Sequence, residues 1–159
     1  MLNLLHFAGI PLLLALLFTN LAVLRFFWLG STNFIYGVTA FSFLLPASWI
    51  AFDIMMYIAF ILSYVAVLMY GMALYKAQRK QPVYKFKSNV TTSAVFCIIF
   101  ALLEIASFVV TLVWVISNNN EYYSNVAFVG SCAYMALVSS VLAIVAAVLL
   151  FRVAKKDEL

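Results

Sequence analysis

Hydrophobic positions along this chain form long runs separated by short polar or charged stretches. The most clearly delimited run, residues 93–117, is apolar except for Glu104 near its centre. About 20 apolar residues in a helix cross a hydrocarbon core of about 30 Å, so this run predicts a transmembrane helix. Backbone groups in lipid must be satisfied within the segment, which favours helices over the short alternating strands of a barrel.

Three further runs complete the predicted fold class, an all-α, polytopic transmembrane helical bundle. We expect one domain over residues 1–159, with spans at about 4–28, 49–75, 93–117 and 126–151. A basic cytoplasmic loop at residues 76–92 is predicted between the second and third spans. The length leaves no room for a second folded domain.

The segment at residues 34–47 leaves the number of spans open. As a helix, Phe34 to Leu45 would reach only about 18 Å, so we interpret it as a re-entrant or interfacial element and predict four spans. The alternative is five spans, with this segment crossing and the N-terminus outside. Arg25 and Asp53 lie near one membrane face in the four-span arrangement, where they can pair, and on opposite faces in the other.

Composition and charge support a membrane protein. Hydrophobic residues make up 68% of the chain and charged residues only 9%, whereas a soluble domain carries about 25% charged residues. Eight of the nine Lys and Arg residues flank spans, so the net charge of +4 indicates cytoplasmic loops and not nucleic-acid binding. We expect the bilayer, with anionic headgroups at the basic loop, as a partner.

Polar residues inside the spans are the candidates for function: Glu104, Asp53, Arg25 and Asn20. Glu104 shares a helical stripe with Cys97, Ala101, Ser107 and Thr111, and this stripe must face protein or water. We interpret Glu104 either as a hydrogen-bonding residue between helices or as a proton- or cation-binding carboxylate.

The last span carries small residues at four-residue spacing, Ser139, Ala143 and Ala147. Such a face lets helix backbones approach closely, within the bundle or against a partner chain. The chain lacks a His or Cys cluster, a Gly-rich phosphate loop and a pair of acids on one helix. We therefore predict no catalytic, cofactor-binding or metal-binding residues, no cofactor and no enzyme activity.

The chain ends in Lys156-Asp157-Glu158-Leu159, which matches a luminal retrieval signal of the endoplasmic reticulum. Both topologies place this tail in the cytosol, so we interpret the match as coincidental. We expect a multi-pass protein of the eukaryotic plasma membrane or endomembranes, with the endoplasmic reticulum as the location if the tail is luminal.

The layout of four spans, a basic loop between spans two and three and a short loop between three and four resembles the MARVEL-type four-span proteins. That resemblance implies an M-shaped helical bundle that organises membrane domains and is not an enzyme. Tetraspanin and claudin outer loops are expected to carry cysteine motifs, whereas Cys97 and Cys132 both lie inside predicted spans. The absence of cysteine motifs from the outer loops disfavours those two families.

Two functional hypotheses follow. The first is a non-enzymatic membrane-organising or trafficking component, or an accessory subunit that associates with other membrane proteins or with itself. The alternative is a small transporter or channel subunit with Glu104 as its proton- or cation-linked site. A water-accessible cavity at Glu104 would favour the alternative, and a sealed Glu104 would favour the first.

Overall fold

A computed structural model describes residues 2–24, 29–30, 35–36, 47–82, 84–121 and 128–155. All four helices in this part of the chain are long and apolar enough to cross a membrane, which confirms the predicted four-span bundle. The helices are α1 (Leu2–Leu24), α2 (Ala47–Gln78), α3 (Tyr84–Glu121) and α4 (Ser131–Lys155), and three short strands are β1 (Leu29–Gly30), β2 (Ile35–Tyr36) and β3 (Phe128–Val129).

The helices run alternately up and down, and each packs against its neighbours in the chain. Side-chain bonds to backbone carbonyls tie the neighbours together, as where Tyr70 on α2 donates to Leu5 on α1 over 3.1 Å. Ser93 on α3 likewise donates to the Ala66 carbonyl on α2 over 2.8 Å. Packing of α1 against α4 closes the bundle.

The three strands join the two connections at one end of the bundle, which we call the sheet end. The central strand β1 pairs antiparallel with β2 and with β3, so Leu29 lies opposite both Tyr36 and Val129. Because Ile35 and Tyr36 form a strand beside β1, the five-span alternative with a helix starting at residue 34 is wrong. Residues 37–46, most of the predicted re-entrant element, lie outside the described residues.

The opposite end, which we call the basic end, corrects the predicted loop at residues 76–92. Only residues 79–83 separate α2 from α3. Lys, Arg and Gln are good helix formers, so both helices continue past the membrane boundary that charge suggested. α3 is 38 residues long and spans about 57 Å, well beyond the hydrocarbon core.

A Schellman motif ends α2. Lys80 has a φ of 53°, its N–H donates to the Ala77 carbonyl over 3.0 Å, and the Gln81 N–H donates to the Lys76 carbonyl over 3.2 Å. Lys76 then reaches α3, where its Nζ donates to Asn89 Oδ1 over 3.1 Å. Pro82 follows the motif and cannot continue the helix.

Two other span limits also differ from the prediction. α1 ends at Leu24 rather than residue 28, with residues 25–28 outside the described part, and α4 begins at Ser131 rather than residue 126. The strand Phe128–Val129 and Gly130 precede α4, so this apolar stretch pairs with β1 instead of extending the helix.

Buried apolar residues form two clusters. The basic-end cluster is the larger and includes Leu12, Phe86, Phe100 and Leu150 together with many alanines. The sheet-end cluster is made by Ala22, Val23, Phe52, Met56, Val115, Cys132, Ala133 and Ala136. A layer of buried polar side chains lies between the two.

Candidate functional site

Glu104 is the central residue of this polar layer, and its side chain is 0% exposed. Its Oε1 lies 2.7 Å from the Thr19 hydroxyl oxygen on α1, at hydrogen-bonding distance. The predicted stripe on α3 faces protein throughout, because its members are all fully buried: Cys97, Ala101, Ser107 and Thr111. Glu104 therefore lies between helices, where the stripe placed it.

Thr19 links Glu104 to α4. Its Oγ1 lies 2.8 Å from the Ser139 Oγ, and Ser139 donates to the Ala15 carbonyl over 2.9 Å. Thr19 Oγ1 also lies 3.0 Å from that carbonyl. Side chains from α1, α3 and α4 thus meet in one network, which we call the Glu104 cluster: Ala15, Thr19, Glu104 and Ser139.

The second carboxyl oxygen of Glu104 differs from the first. Oε2 is buried and has no hydrogen-bond partner in the described part of the chain. Buried polar atoms are nearly always hydrogen-bonded, so a lone unsatisfied oxygen at the centre of a bundle calls for an explanation.

The small residues of α1 and α4 allow this close approach. Ala8, Ala15 and Ala22 on α1 are fully buried at spacings of seven residues, and they bring the α1 backbone near α4. The predicted small face Ser139, Ala143 and Ala147 is also buried within this single chain. It therefore packs inside the bundle, the first of the two arrangements considered for it.

Thr19 was not among the candidates predicted from the sequence, which gave its neighbour Asn20 as a polar candidate of the first span. Asn20 instead accepts a hydrogen bond from Tyr64 on α2 over 2.8 Å and donates to the Leu16 carbonyl over 2.7 Å. The available signal was the spacing of Thr19 from Ala15, four residues along the small face of α1.

Asp53 is not brought to Glu104 in the described structure. Asp53 is 3% exposed and follows Phe52 of the sheet-end cluster on α2. Arg25 lies outside the described residues, so its pairing with Asp53 stays a prediction. Tyr64, seven residues beyond Tyr57, is 42% exposed and bonds at the rim of the bundle rather than in its centre.

The chemistry of the cluster is that of hydrogen bonding between oxygens. Over the described ranges, no three His, Cys, Asp or Glu side chains are grouped so that they could hold a metal ion. The Cys97 and Cys132 side chains are buried, form no disulfide with each other and belong to different apolar clusters. The Glu104 cluster itself brings one carboxyl, two hydroxyls and a carbonyl to a sealed position.

Comparison with known proteins identifies the family. The model of the family described as tight junction protein, claudin-like, matches residues 1–159. No curated protein matches the chain. A four-span family is thus supported, but not the MARVEL type, and the prediction that disfavoured claudins is wrong. It depended on outer-loop cysteines, whereas the match extends over the whole chain, whose cysteines lie on α3 and α4. The chain therefore belongs to the family of claudin-like tight junction proteins.

Proposed function

We propose that this protein is a non-enzymatic, four-span component of the plasma membrane that associates with other membrane proteins, including copies of itself, where two cells meet. The whole-chain match to the claudin-like family carries this proposal. The fold adds a reason, because the sheet joins both connections at one end of the bundle. Such a joined surface suits contact with another protein.

The distribution of charge supports a cytoplasmic basic end and a sheet end outside the cell. Positively charged segments next to spans stay on the cytoplasmic side. The basic residues of the described helices and turn lie at the ends of α2 and α4 and at the start of α3: Lys76, Arg79, Lys80, Lys85, Lys87, Arg152 and Lys155. In this orientation the tail after Lys155 is cytosolic and its last four residues do not act as a luminal signal.

The same end suits contact with anionic lipid headgroups. Arg79, Lys80, Lys85, Arg152 and Lys155 are exposed there, and a Lys or Arg near an anionic surface contributes about 1 kcal/mol. Arg79 also lies 4.5 Å from the centre of the Tyr75 ring, an arrangement that suits the membrane interface.

The burial of Glu104 favours this function over a transporter or channel subunit. A coupling carboxylate has to exchange its ion with water, whereas Glu104 is 0% exposed and is covered by α1 and α4. Its hydrogen bonds join helices, as expected of a residue that stabilises the bundle.

Cell mixing tests the proposed function. Cells that express a fluorescent version are mixed with cells that express a second colour and with cells that express neither. We expect both colours to concentrate at borders between two expressing cells and not at borders with non-expressing cells. Uniform distribution at all borders, with normal surface delivery, would contradict the proposal.

A strand variant connects this result to the sheet. Gly30→Pro removes a backbone donor from the central strand β1, which pairs on both sides. We expect it to lose border enrichment while reaching the surface, measured by biotinylation. Leu29→Val keeps a good strand former in the same strand and should behave as wild type.

Cysteine labelling tests the orientation of the chain in the membrane. Single cysteines at Ser88 and Lys155, both exposed, should react with a membrane-impermeant reagent only after the membrane is permeabilised. Labelling of either from outside intact cells would reverse the orientation and make the tail luminal.

A further inference from the structure

We propose that the Glu104 cluster is a proton-binding site, occupied in the folded bundle. Glu104 is then a neutral carboxylic acid that donates its hydrogen to Thr19. This inference does not depend on the proposed role at cell contacts.

With an ionised carboxylate, the cluster has fewer hydrogen atoms than short oxygen–oxygen contacts. The cluster has four short oxygen–oxygen contacts: Glu104–Thr19 at 2.7 Å, Thr19–Ser139 at 2.8 Å, Ser139–Ala15 at 2.9 Å and Thr19–Ala15 at 3.0 Å. Each hydroxyl brings one hydrogen and an ionised carboxylate brings none. Two hydrogens leave at least one of the three shortest contacts as two oxygens facing each other with nothing between them.

A proton on Glu104 resolves this shortage. Glu104 then donates to Thr19, Thr19 donates to Ser139, and Ser139 donates to the Ala15 carbonyl. Every one of the three shortest contacts has its own hydrogen, and only the longest contact has none. Turning the Ser139 hydroxyl toward the carboxyl instead would leave its contact with Ala15 unfilled.

The unpartnered Oε2 of Glu104 also favours a proton on this carboxyl group. In an ionised carboxylate both oxygens carry negative charge, and a buried charged oxygen without a donor is costly. In a neutral acid that donates through Oε1, Oε2 is an uncharged carbonyl oxygen. The absence of a described partner at Oε2 is therefore far less costly when Glu104 holds a proton.

No described cation is placed to balance a charge on Glu104. On its own helix the nearest is Lys87, 17 residues away, which is about 25 Å along a helix. α1 presents Thr19 to Glu104, and Thr19 contacts Ser139 on α4. Neither of these hydroxyl side chains is titratable. The other charged or titratable groups nearest the middle of the described helices are Cys97, Tyr57, Tyr64, Tyr70, Tyr134 and Asp53, which supply no positive charge. His6, which can carry one, precedes Thr19 by 13 residues on α1, about 20 Å along the helix.

Infrared spectroscopy of the purified full chain tests the proposal directly. The probe is the C=O stretching band of a protonated carboxylic acid, recorded at neutral pH in wild type and in Glu104→Gln. We expect one acid band in wild type that Glu104→Gln lacks. Asp53→Asn is the matched control, because it removes a different buried carboxyl and should leave the Glu104 band in place. A difference spectrum with carboxylate bands and no acid band would overturn the proposal.

A metal cation is the competing occupant. We expect the melting temperature of wild type to be the same in sodium, potassium and choline chloride. A rise that is specific to sodium or potassium, seen in wild type and lost in Glu104→Gln, would assign the site to that cation instead.

A second variant covers the case in which Glu104→Gln does not fold. Thr19→Val keeps the shape of the side chain and removes its oxygen. The acid band of Glu104 should then shift to higher frequency, because the carboxylic acid has lost its acceptor. An acid band identical in wild type and Thr19→Val would show that it does not arise from this cluster.

Discussion

The two ends of the bundle are held by different kinds of interaction. At the basic end, a short turn closed by a Schellman motif joins α2 to α3, and the larger apolar cluster packs above it. At the sheet end, the smaller cluster adjoins three two-residue strands. The central strand β1 pairs with the nearby β2 and also with β3, which lies far away in the chain just before α4. Local helix packing organises the first end, and long-range strand pairing organises the second.

This difference predicts different tolerance to added volume. Lipid tails are as apolar as the side chains they replace, so tight packing is a main source of helix association in membranes. The alanine-rich basic-end cluster depends most on that packing. Alanines make up a smaller share of the sheet-end cluster, so we expect it to depend less on close packing.

The largest expected effect is therefore overpacking at the basic end. Ala147→Phe adds a ring where α4 is fully buried, and we expect a loss of about 3 kcal/mol in unfolding free energy. Ala133→Phe in the sheet-end cluster should cost about 1 kcal/mol. Val148→Phe, at a position 49% exposed to lipid, is the control and should be neutral. Equal losses at residues 147 and 133 in reversible unfolding in detergent would remove the contrast between the ends.

Replacing either of two glycines at the basic end by alanine should have a smaller effect on the unfolding free energy, and the two effects should differ in sign. A Cβ at Gly9 would meet the Tyr70 ring and hydroxyl, whereas a Cβ at Gly71 meets nothing within 4 Å. We expect Gly9→Ala to cost about 1–2 kcal/mol, because Tyr70 must move and lose its bond to Leu5. Gly71→Ala should be neutral or stabilise by up to about 1 kcal/mol. Thermal unfolding of the two variants measures these effects. Equal shifts in melting temperature would contradict the close approach of Gly9 to Tyr70.

At the boundary between the two clusters, Glu104 should show a smaller effect that depends on chemistry. Glu104→Leu should destabilise the bundle by about 1 kcal/mol, the scale of interhelical hydrogen bonds in membranes. Glu104→Gln should keep near wild-type stability, because its amide can still donate to Thr19. Chemical unfolding measures both, and a Gln variant as unstable as the Leu variant would contradict this interpretation.

The smallest effect is expected at the rim. Tyr64 is 42% exposed, and its bond to Asn20 should be worth about 0.6 kcal/mol. A double-mutant cycle with Tyr64→Phe and Asn20→Ala isolates that energy. A coupling energy near zero would mean that the contact does not hold α1 to α2.

Sequence patterns were most informative where the cause is local. The length and apolarity of residues 93–117 gave the core of α3, and the spacing of Cys97 to Thr111 gave its buried face. The outer limits were wrong at the basic end because charge marks the membrane boundary and not the helix end. Lys85 and Lys87 are inside α3, since lysine leaves the membrane without leaving the helix.

The sequence by itself determined that long apolar segments cross a membrane as helices, because each is long enough to satisfy its own backbone, but it left the choice between four and five spans open. It also determined that Glu104 must turn away from lipid. Only the tertiary structure decided that Thr19, and not Asn20, meets Glu104, because one residue on a helix rotates a side chain by about 100°. The pairing of β1 with β3 was likewise decided only in three dimensions, since two-residue strands far apart in the chain carry no periodic signal of their own.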